Sequence, residues 1–255
     1  MDNYNTALVN LIQDGALAEN LDKRCDIPLA MVQLVLGQVY DRAVSPDVDS
    51  LKQYKAGSNN VYGELLSPLV DRILVETRLT SDQVFVDLGS GVGNVVLQAA
   101  LQVGCESWGC EMAKNACELA KAQQKEFAAR CRLWGIATGK VHLEEGNFLD
   151  NSPIMAAMKK ADVILVNNEV FSSDLNERLK LLFLDCKDGC RIVSLKSFVP
   201  EGLQITEHNE GNLAHIFDLQ KFEYYSHDVS WTDASGNYYI ATKDSKRALR
   251  RRDMK

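Results

Sequence analysis

The chain has 255 residues, of which 46% are hydrophobic and 25% are charged, with a formal net charge of −7. This length suits one α/β domain with an appendage, and the composition is ordinary for a globular protein with a sizeable core. The first twenty residues lack the basic start and apolar centre of a secretory signal, and no apolar run is long enough to span a membrane.

The N-terminal part of the chain is predicted to be mainly helical. Residues 28–44 place apolar side chains on one face at helical spacing, residues 45–60 have loop composition, and helical spacing returns across 64–78. The sequence therefore predicts a small helical appendage and linker over residues 1–61, which leads into the main domain at residue 62.

Strands and helices alternate along the middle of the chain, which predicts an α/β domain with a mostly parallel sheet covered on both faces. Short β-like runs then predict a hairpin that closes the sheet edge, with a turn at 234–237. The predicted strands are 84–87, 107–111, 141–144, 163–166 and 191–195, the later β runs are 217–225, 228–231 and 238–242, and the predicted helices are 94–101, 113–134, 154–160 and 175–184.

The first strand runs into the sequence Asp-Leu-Gly-Ser-Gly-Val-Gly-Asn at 87–94. Its glycines allow a sharp turn and lack the Cβ atoms that would keep a ligand away from the strand end. The carboxylate of Asp87 would repel a pyrophosphate, whereas it would attract a ligand that carries a sulfonium and an ammonium. The dinucleotide fingerprint also places its third glycine one residue later than Gly93, so the loop predicts S-adenosylmethionine.

Two further strand ends suit an adenosine. Glu111 ends the second strand, at the spacing where a carboxylate can accept both ribose hydroxyls, although an acid there is often only a helix cap. Asn147 and Phe148 follow the third strand, where an amide can bond the adenine amino group and a ring can pack against the base. A polar turn residue beside a core aromatic would give the same pattern, so both interpretations stay open.

The sequence Asn-Asn-Glu-Val-Phe at 167–171 follows the fourth strand, beside the expected position of a transferred methyl group. Methyl transfer to an amine is a displacement at an activated carbon, so positioning matters more than strong acid–base catalysis. A carboxamide or carbonyl oxygen can orient the amine, and a dry aromatic channel favours its neutral form. Candidates for the channel walls are Phe171, Trp231, Tyr238 and Tyr239, although ordinary packing explains each of them equally well.

Basic charge is concentrated at the end of the chain. Residues 243–255 contain seven basic and two acidic side chains, a net charge of +5 that leaves −12 for residues 1–242. This tail can attract phosphate, but a solvated terminus or a nuclear-import signal fits equally well. The seven cysteines form no C-x-x-C pair and the four histidines form no cluster, which predicts reduced thiols in the cytosol or nucleus and no metal site.

Four motifs follow one another in an order typical of one family. They are Asn-Val-Tyr-Gly-Glu-Leu at 60–65, the glycine loop at 87–94, Asn-Asn-Glu-Val-Phe at 167–171 and Val-Ser-Trp-Thr at 229–232. Together they resemble the disruptor-of-telomeric-silencing family of histone H3 lysine methyltransferases, in particular its fungal branch, over residues 40–242. The glycine loop alone would indicate only a methyltransferase, whereas the first and third motifs make the family match specific.

The resemblance implies a Rossmann-like class I S-adenosylmethionine-dependent methyltransferase fold, with a seven-stranded, mostly parallel sheet, over residues 62–242. It implies a nuclear enzyme without a SET domain that methylates a lysine in the globular core of histone H3 on nucleosomes. S-adenosylmethionine would be the methyl donor and leave as S-adenosylhomocysteine, without a metal. Roles in chromatin regulation and telomeric silencing would follow from membership of the family.

The resemblance also implies roles for single residues. Asn167 would be the active-site asparagine beside the lysine, and Tyr62 and Glu64 would lie in a loop over the methionine part of the cofactor. Asn147 departs from the Asp common in animal members, and Leu65 replaces a Thr. The resemblance further implies that the amino-acid end of the cofactor is lined by Asp87, Gly89, Gly91 and Asn94. Glu111 would contact the ribose, and Asn147 and Phe148 would contact the adenine. Tyr238 would form part of the lysine channel.

The family also holds nucleosomal DNA with a basic segment outside its catalytic core, a role that the tail 243–255 fits. The acidic body would contact histone surfaces, and we expect a monomer without membrane contacts. Two other function classes stay open from the residues alone. One is a methyltransferase for a nucleic-acid base or for an arginine or glutamine side chain, although the sequence contains no Asn-Pro-Pro-Tyr-like motif. The other is a non-catalytic chromatin-binding module, which would not require Asp87, Glu111 and Asn167.

Overall fold

The computed structural model describes residues 2–15, 27–52, 63–200 and 213–247. Seven strands form one sheet in these ranges: β1 Val84–Leu88, β2 Glu106–Glu111, β3 Val141–Glu145, β4 Val163–Val166, β5 Arg191–Ser194, β6 Phe217–Tyr224 and β7 Gly236–Lys243. Their order across the sheet is β3-β2-β1-β4-β5-β7-β6. The first five strands are parallel, and β7 is antiparallel to both β5 and β6. The predicted seven-stranded, mostly parallel sheet is therefore confirmed.

Helices cover both faces of this sheet, as the alternation of elements predicts. The predicted helices all form, with bounds close to the expected ones. No helix in the described ranges combines the length and apolarity that a membrane crossing requires. The helices are α1 Asp2–Gln13, α2 Leu29–Ala43, α3 Ser67–Glu76, α4 Asn94–Gln102, α5 Lys114–Trp134, α6 Ser152–Lys160 and α7 Ser173–Phe183, with 3-10 helices at Ser45–Lys52 and Leu213–Ile216.

The segment 228–231, predicted to be β-like, does not join the sheet. It pairs instead with the chain that leads into α3, through a single β-bridge between Val229 and Leu65. The Leu66 amide also donates a hydrogen bond to the Asp228 carbonyl at 2.8 Å. The prediction of a strand was wrong because the alternation of apolar residues here serves contact with a distant segment, which local spacing does not reveal.

The connection between β6 and β7, residues 225–235, is longer than the predicted turn at 234–237. Gly236 already belongs to β7, where it lies opposite Tyr224. A Cβ atom at Gly236 would lie 2.4 Å from the Tyr224 ring, so glycine allows the ring to cross the partner strand.

The N-terminal helix α2 shares a core with the sheet domain. Its valines at 32, 35 and 39 are fully buried. They form one apolar cluster with Leu97, Leu101, Phe127 and Cys131 of α4 and α5. A neighbouring cluster joins Val44 and Leu51 to Val92 of the glycine loop, so this layer supports the loop from behind. The division of the chain at residues 61 and 62 stays a prediction.

The strand register brings four loops to one edge of the sheet. Leu88 at the end of β1 lies beside Cys110 of β2 and Val166 of β4, and Cys110 lies beside Glu144 of β3. Because these strands are parallel, the loops that follow them all begin at the same edge. This is the edge at which open α/β sheets bind their ligands.

Candidate functional site

A cavity of about 650 Å³ lies at this edge of the sheet. A cavity of this size suits a small-molecule ligand. Most of the residues predicted for the site line it, namely Glu64, Asp87, Gly89, Gly91, Asn94, Glu111, Asn147, Phe148 and Asn167. Tyr62 lies outside the described residues. Within the described part of the chain, no group of three or more His, Cys, Asp or Glu side chains is arranged to hold a metal ion.

The glycine loop turns back over the end of β2. The amides of Gly89 and Ser90 donate hydrogen bonds to the Cys110 carbonyl at 2.9 and 3.1 Å. Gly89, Gly91 and Gly93 have φ angles of 87°, 54° and 89°, in the left-handed region that glycine adopts without strain. The loop therefore needs glycine for its backbone conformation and for the open space above it.

Glu111 fixes this loop in place. Its Oε2 accepts a hydrogen bond from the Gly91 amide at 3.0 Å, and its Oε1 accepts from the amides of Met112 and Ala113 at 2.8 and 2.7 Å. Glu111 thus holds the two residues that precede α5 and also lines the cavity. A carboxylate accepts about four hydrogen bonds, so Oε2 keeps acceptor capacity for a hydroxyl group of a ligand.

Asp87 has the opposite environment. Its carboxyl is buried at the end of β1, and none of the described residues donates a hydrogen bond to it. Burial, with a smaller effect of the Glu111 charge, raises the pKa of Asp87 to about 8. A positively charged ligand group beside Asp87 would favour the carboxylate, so the ammonium and sulfonium of S-adenosylmethionine fit this end of the cavity.

A hydrogen-bonded chain of side chains borders the same end. Asn94 Nδ2 donates a hydrogen bond to Glu64 Oε1 at 2.9 Å. Gln123 Nε2 donates to Asn94 Oδ1 and to the Val92 carbonyl, both at 2.8 Å. Gln123 does not line the cavity, but it holds Asn94 and the glycine loop, a supporting role that the sequence analysis missed. The available signal was a polar residue on the apolar face of α5, at helical spacing from Ala116, Leu119, Ala120 and Phe127.

The opposite end of the cavity suits a flat ring. Phe148 is both part of the core and part of the cavity wall, and its ring lies 6.3 Å from that of Phe171 at 25°. Asn147 Oδ1 already accepts a hydrogen bond from the Leu149 amide at 3.0 Å. The same residues therefore shape the loop and line the cavity, and their contact with an adenine stays a prediction.

Asn167 lies where three distant segments meet. Its Nδ2 donates to the Gly63 carbonyl at 3.1 Å, which fixes the carboxamide, and none of the described residues donates to its Oδ1. A Cβ atom on Gly63 would lie 2.7 Å from the Trp231 ring, so only glycine lets this ring approach. Ser230 secures the contact, since its Oγ accepts from the Glu64 amide at 2.8 Å and its amide donates to the Glu64 carbonyl at 2.9 Å.

The second asparagine of the motif has a structural role. Asn168 is buried, and its Nδ2 donates to the Lys196 carbonyl at 2.9 Å and to Asn176 Oδ1 at 3.1 Å. Its Oδ1 accepts from the amides of Leu195 and Lys196 at 3.0 and 2.8 Å. Asn168 thus ties the loop after β4 to the end of β5 and holds Asn167 at the cavity.

The structure separates the four aromatic candidates for the channel walls. Phe171 and Trp231 line the cavity. Tyr238 does not: its side chain is only 2% exposed, and its ring stacks on Phe222 at 5.3 Å within the core of the sheet. Tyr239 is likewise buried and lies outside the cavity wall. Tyr238 therefore has no contact with the described cavity, because its face of β7 packs against α3 rather than toward the loops.

The chain is similar to known proteins in sequence and in fold. The family model described as Histone methylation protein DOT1 matches residues 40–243. A protein of Emericella nidulans is 55% identical over 244 residues, which cover 96% of this chain and 49% of the relative. A protein of Yarrowia lipolytica is 51% identical over 231 residues, which cover 91% of this chain and 47% of the relative. Both relatives are described as histone-lysine N-methyltransferase, H3 lysine-79 specific. The chain spans about half the length of these relatives.

A solved structure resembles the whole fold. The crystal structure of a proposed O-methyltransferase from Klebsiella pneumoniae has a TM-score of 0.51 to this chain at 12% identity, and covers 83% of this chain and 90% of that one. At this identity the likeness concerns the fold alone. The predicted Rossmann-like methyltransferase fold is thereby confirmed.

Replacing Asp87 with Asn should change how stability depends on pH. The raised pKa means that the folded protein keeps a proton that the unfolded chain releases above about pH 4, so wild-type stability should fall from pH 4 to pH 8. D87N has no carboxyl group to titrate at this position. Its free energy of unfolding should therefore be roughly 2–5 kcal/mol higher than that of the wild type at pH 8, but no higher at pH 4. Urea unfolding without ligand at both pH values measures this. D41N, at an exposed position of α2, should follow the wild type, and equal pH profiles for D87N and wild type would contradict the assignment.

The two asparagines should respond differently to truncation. N168A leaves three backbone groups of the β5 end without a side-chain partner and should cost roughly 2–4 kcal/mol of unfolding free energy. N167A removes one hydrogen bond at the cavity wall and should cost about 1 kcal/mol or less. Thermal and urea unfolding of both variants compares them. Equal losses would show that Asn168 does not hold the loop.

Proposed function

Because this chain belongs to the Histone methylation protein DOT1 family, we propose that it is a nuclear, S-adenosylmethionine-dependent methyltransferase for a lysine in the globular core of histone H3 on nucleosomes. The observation that carries the proposal is one cavity that joins the buried Asp87 carboxyl to the fixed Asn167 carboxamide. The first suits a cationic cofactor and the second suits an incoming amine. The names of the relatives favour lysine 79 of histone H3 as the substrate residue.

The residues around Asp87 would hold the cofactor. Asp87 would face its cationic end, Gly89, Gly91 and Asn94 would line its amino-acid part, and Glu111 would accept a ribose hydroxyl at Oε2. When bound, S-adenosylmethionine supplies a methyl group on a sulfonium centre and leaves as S-adenosylhomocysteine. Asn147 and Phe148 would border the adenine, and Glu64 would close the methionine end through its bond to Asn94.

The residues around Asn167 would position the lysine. Its Oδ1 can accept an N–H of the neutral amine, which leaves the nitrogen lone pair free to attack the methyl carbon. An ammonium has no such lone pair, so its proton must pass to water before transfer. The walls formed by Phe171 and Trp231 exclude water and disfavour the charged form of the amine. Tyr62 stays a prediction from the resemblance, because it lies outside the described residues, whereas Tyr238 packs in the core and has no part in this proposal.

We further propose that the basic tail contacts DNA phosphates while the acidic body contacts histones. Part of the tail is engaged within the chain: the buried Lys243 ammonium donates to the Leu184 and Cys186 carbonyls, and Arg247 donates to Asp218 Oδ1 at 2.8 Å. Lys246 is exposed, and residues 248–255 lie outside the described residues. The charge for DNA would therefore come from residue 246 onward, in a protein that acts as a monomer.

Transfer of labelled methyl groups to reconstituted nucleosomes tests the activity. The wild type should label nucleosomal H3, and replacement of H3 lysine 79 by arginine should abolish the label. N167A should lower turnover by roughly a hundredfold or more and leave cofactor affinity nearly unchanged. D87N, by contrast, should weaken cofactor binding by roughly tenfold or more. D41N serves as the control. Label on DNA or on other side chains would favour another class of methyltransferase, and cofactor binding without any label would favour a non-catalytic module.

Deletion of residues 246–255 tests the tail. Nucleosome affinity at low salt should fall by roughly tenfold or more, and its dependence on salt concentration should become shallower, because fewer phosphate contacts release counterions. Fluorescence anisotropy with labelled nucleosomes across a salt series measures both quantities. A variant with K125Q and K140Q, two exposed lysines of the body, controls for loss of charge. An unchanged salt slope after the deletion would contradict a DNA contact.

A further inference from the structure

Glu169 is the one carboxylate of the cavity wall that neither the cofactor nor the fold uses in the roles given above. The residues that line the cavity include four carboxylates, Glu64, Asp87, Glu111 and Glu169, and no lysine, arginine or histidine from the described ranges. The first three border the cofactor end. Glu169 lies two residues after Asn167, and its side chain remains 41% exposed at the mouth of the cavity.

An ammonium group already contacts Glu169 in the structure. The Lys196 side chain donates a hydrogen bond to the Glu169 carbonyl, and its Nζ lies 4.0 Å from Glu169 Oε1. The carbonyl and the carboxylate of this one residue therefore form an acceptor site for an alkylammonium. Lys196 is 52% exposed, and an ion pair so exposed is weakly held in water, so another ammonium can displace it.

The backbone of Lys196 is held close to the cavity, so only its side chain has to move when another ammonium displaces it from Glu169. Lys196 follows the end of β5, and its amide and carbonyl are held by Asn168, next to Asn167 in sequence. The lysine backbone is thus fixed, while its side chain reaches Glu169 from the solvent side. Burial and the nearby Glu169 charge raise the pKa of Tyr224 at the end of β6, so Tyr224 also lies near this carboxylate.

We propose that Glu169 receives the ammonium of the substrate lysine at the mouth of the cavity, and that Lys196 occupies this position when no substrate is bound. Glu169 then acts before the chemical step. A carboxylate stabilises the charged amine, so it favours capture at the rim, whereas the aromatic walls favour the neutral amine further in, beside Asn167. Glu169 is a residue of substrate recognition, and Lys196 is its competitor within the chain.

The inference rests on the proposed lysine methylation for its substrate, but ligand binding tests it without turnover. The probe is n-butylammonium, titrated into the ¹⁵N-labelled protein while the amide resonances of residues 167–171 are followed by NMR. The wild type should show saturable shifts. E169Q should weaken binding by about three- to tenfold, and K196Q should strengthen it by a similar factor, because it removes the competing ammonium.

Matched controls come from a second exposed ion pair. Glu177 and Lys180 form an ion pair at 2.6 Å on α7, outside the cavity. E177Q and K180Q should leave n-butylammonium binding unchanged, and 1-pentanol, a neutral probe of similar size, should not distinguish E169Q from the wild type.

A turnover measurement adds a second reading. With nucleosomes, E169Q should raise KM with kcat within about twofold of the wild type, since it removes capture and not alignment. Absence of saturable shifts in the wild type, equal affinities in E169Q and wild type, or weaker binding in K196Q would each overturn the proposal. These results are independent of whether nucleosomal H3 is the methyl acceptor, which the labelling experiment decides separately.

Discussion

The carboxylate of Glu111 is the contact on which the geometry of the site depends. It joins the Gly91 amide of the glycine loop to the amides of Met112 and Ala113, just before α5, so one side chain connects the loops after β1 and β2. Backbone amides that leave water need acceptors, and a carboxylate close to the N-terminus of α5 also suits the positive end of the helix dipole. The loop is therefore fixed before a ligand arrives, which lowers the entropy lost on binding.

Asp87 and Glu111 show how two neighbouring acids can take different roles. Backbone amides compensate the charge of Glu111, whereas Asp87 is buried without a hydrogen-bond donor among the described residues. Burial of an uncompensated acid raises its pKa and weakens the folded state at neutral pH. A cationic ligand relieves this cost, so cofactor binding and stability are coupled. The cavity is thereby selective for positive charge at its deep end, and at its mouth through Glu169.

Much of the fold and of the cofactor end was predictable because it depends on local pattern. Apolar runs and glycine turns define the parallel strands, and parallel strands place their following residues at one edge whatever the details of packing. Asp87 and Glu111 lie at the carboxyl ends of such strands and Asn147 and Asn167 follow them, so their placement at the cavity could be predicted from the sequence. Gln123 was missed because a single polar residue on the apolar face of a helix only interrupts the helical spacing of apolar residues and does not indicate a role.

The sequence by itself determined the order of elements, the edge of the sheet that carries the site and the acids and amides that follow its strands. Tertiary structure alone decided which aromatic residues form the wall, since Trp231 reaches the cavity over Gly63 while Tyr238 packs into the core. It also decided that Asn167 faces the cavity and Asn168 the fold, and that Lys196 reaches Glu169. These outcomes depend on contacts between residues far apart in the chain, which strand twist and close packing select and which local spacing does not encode.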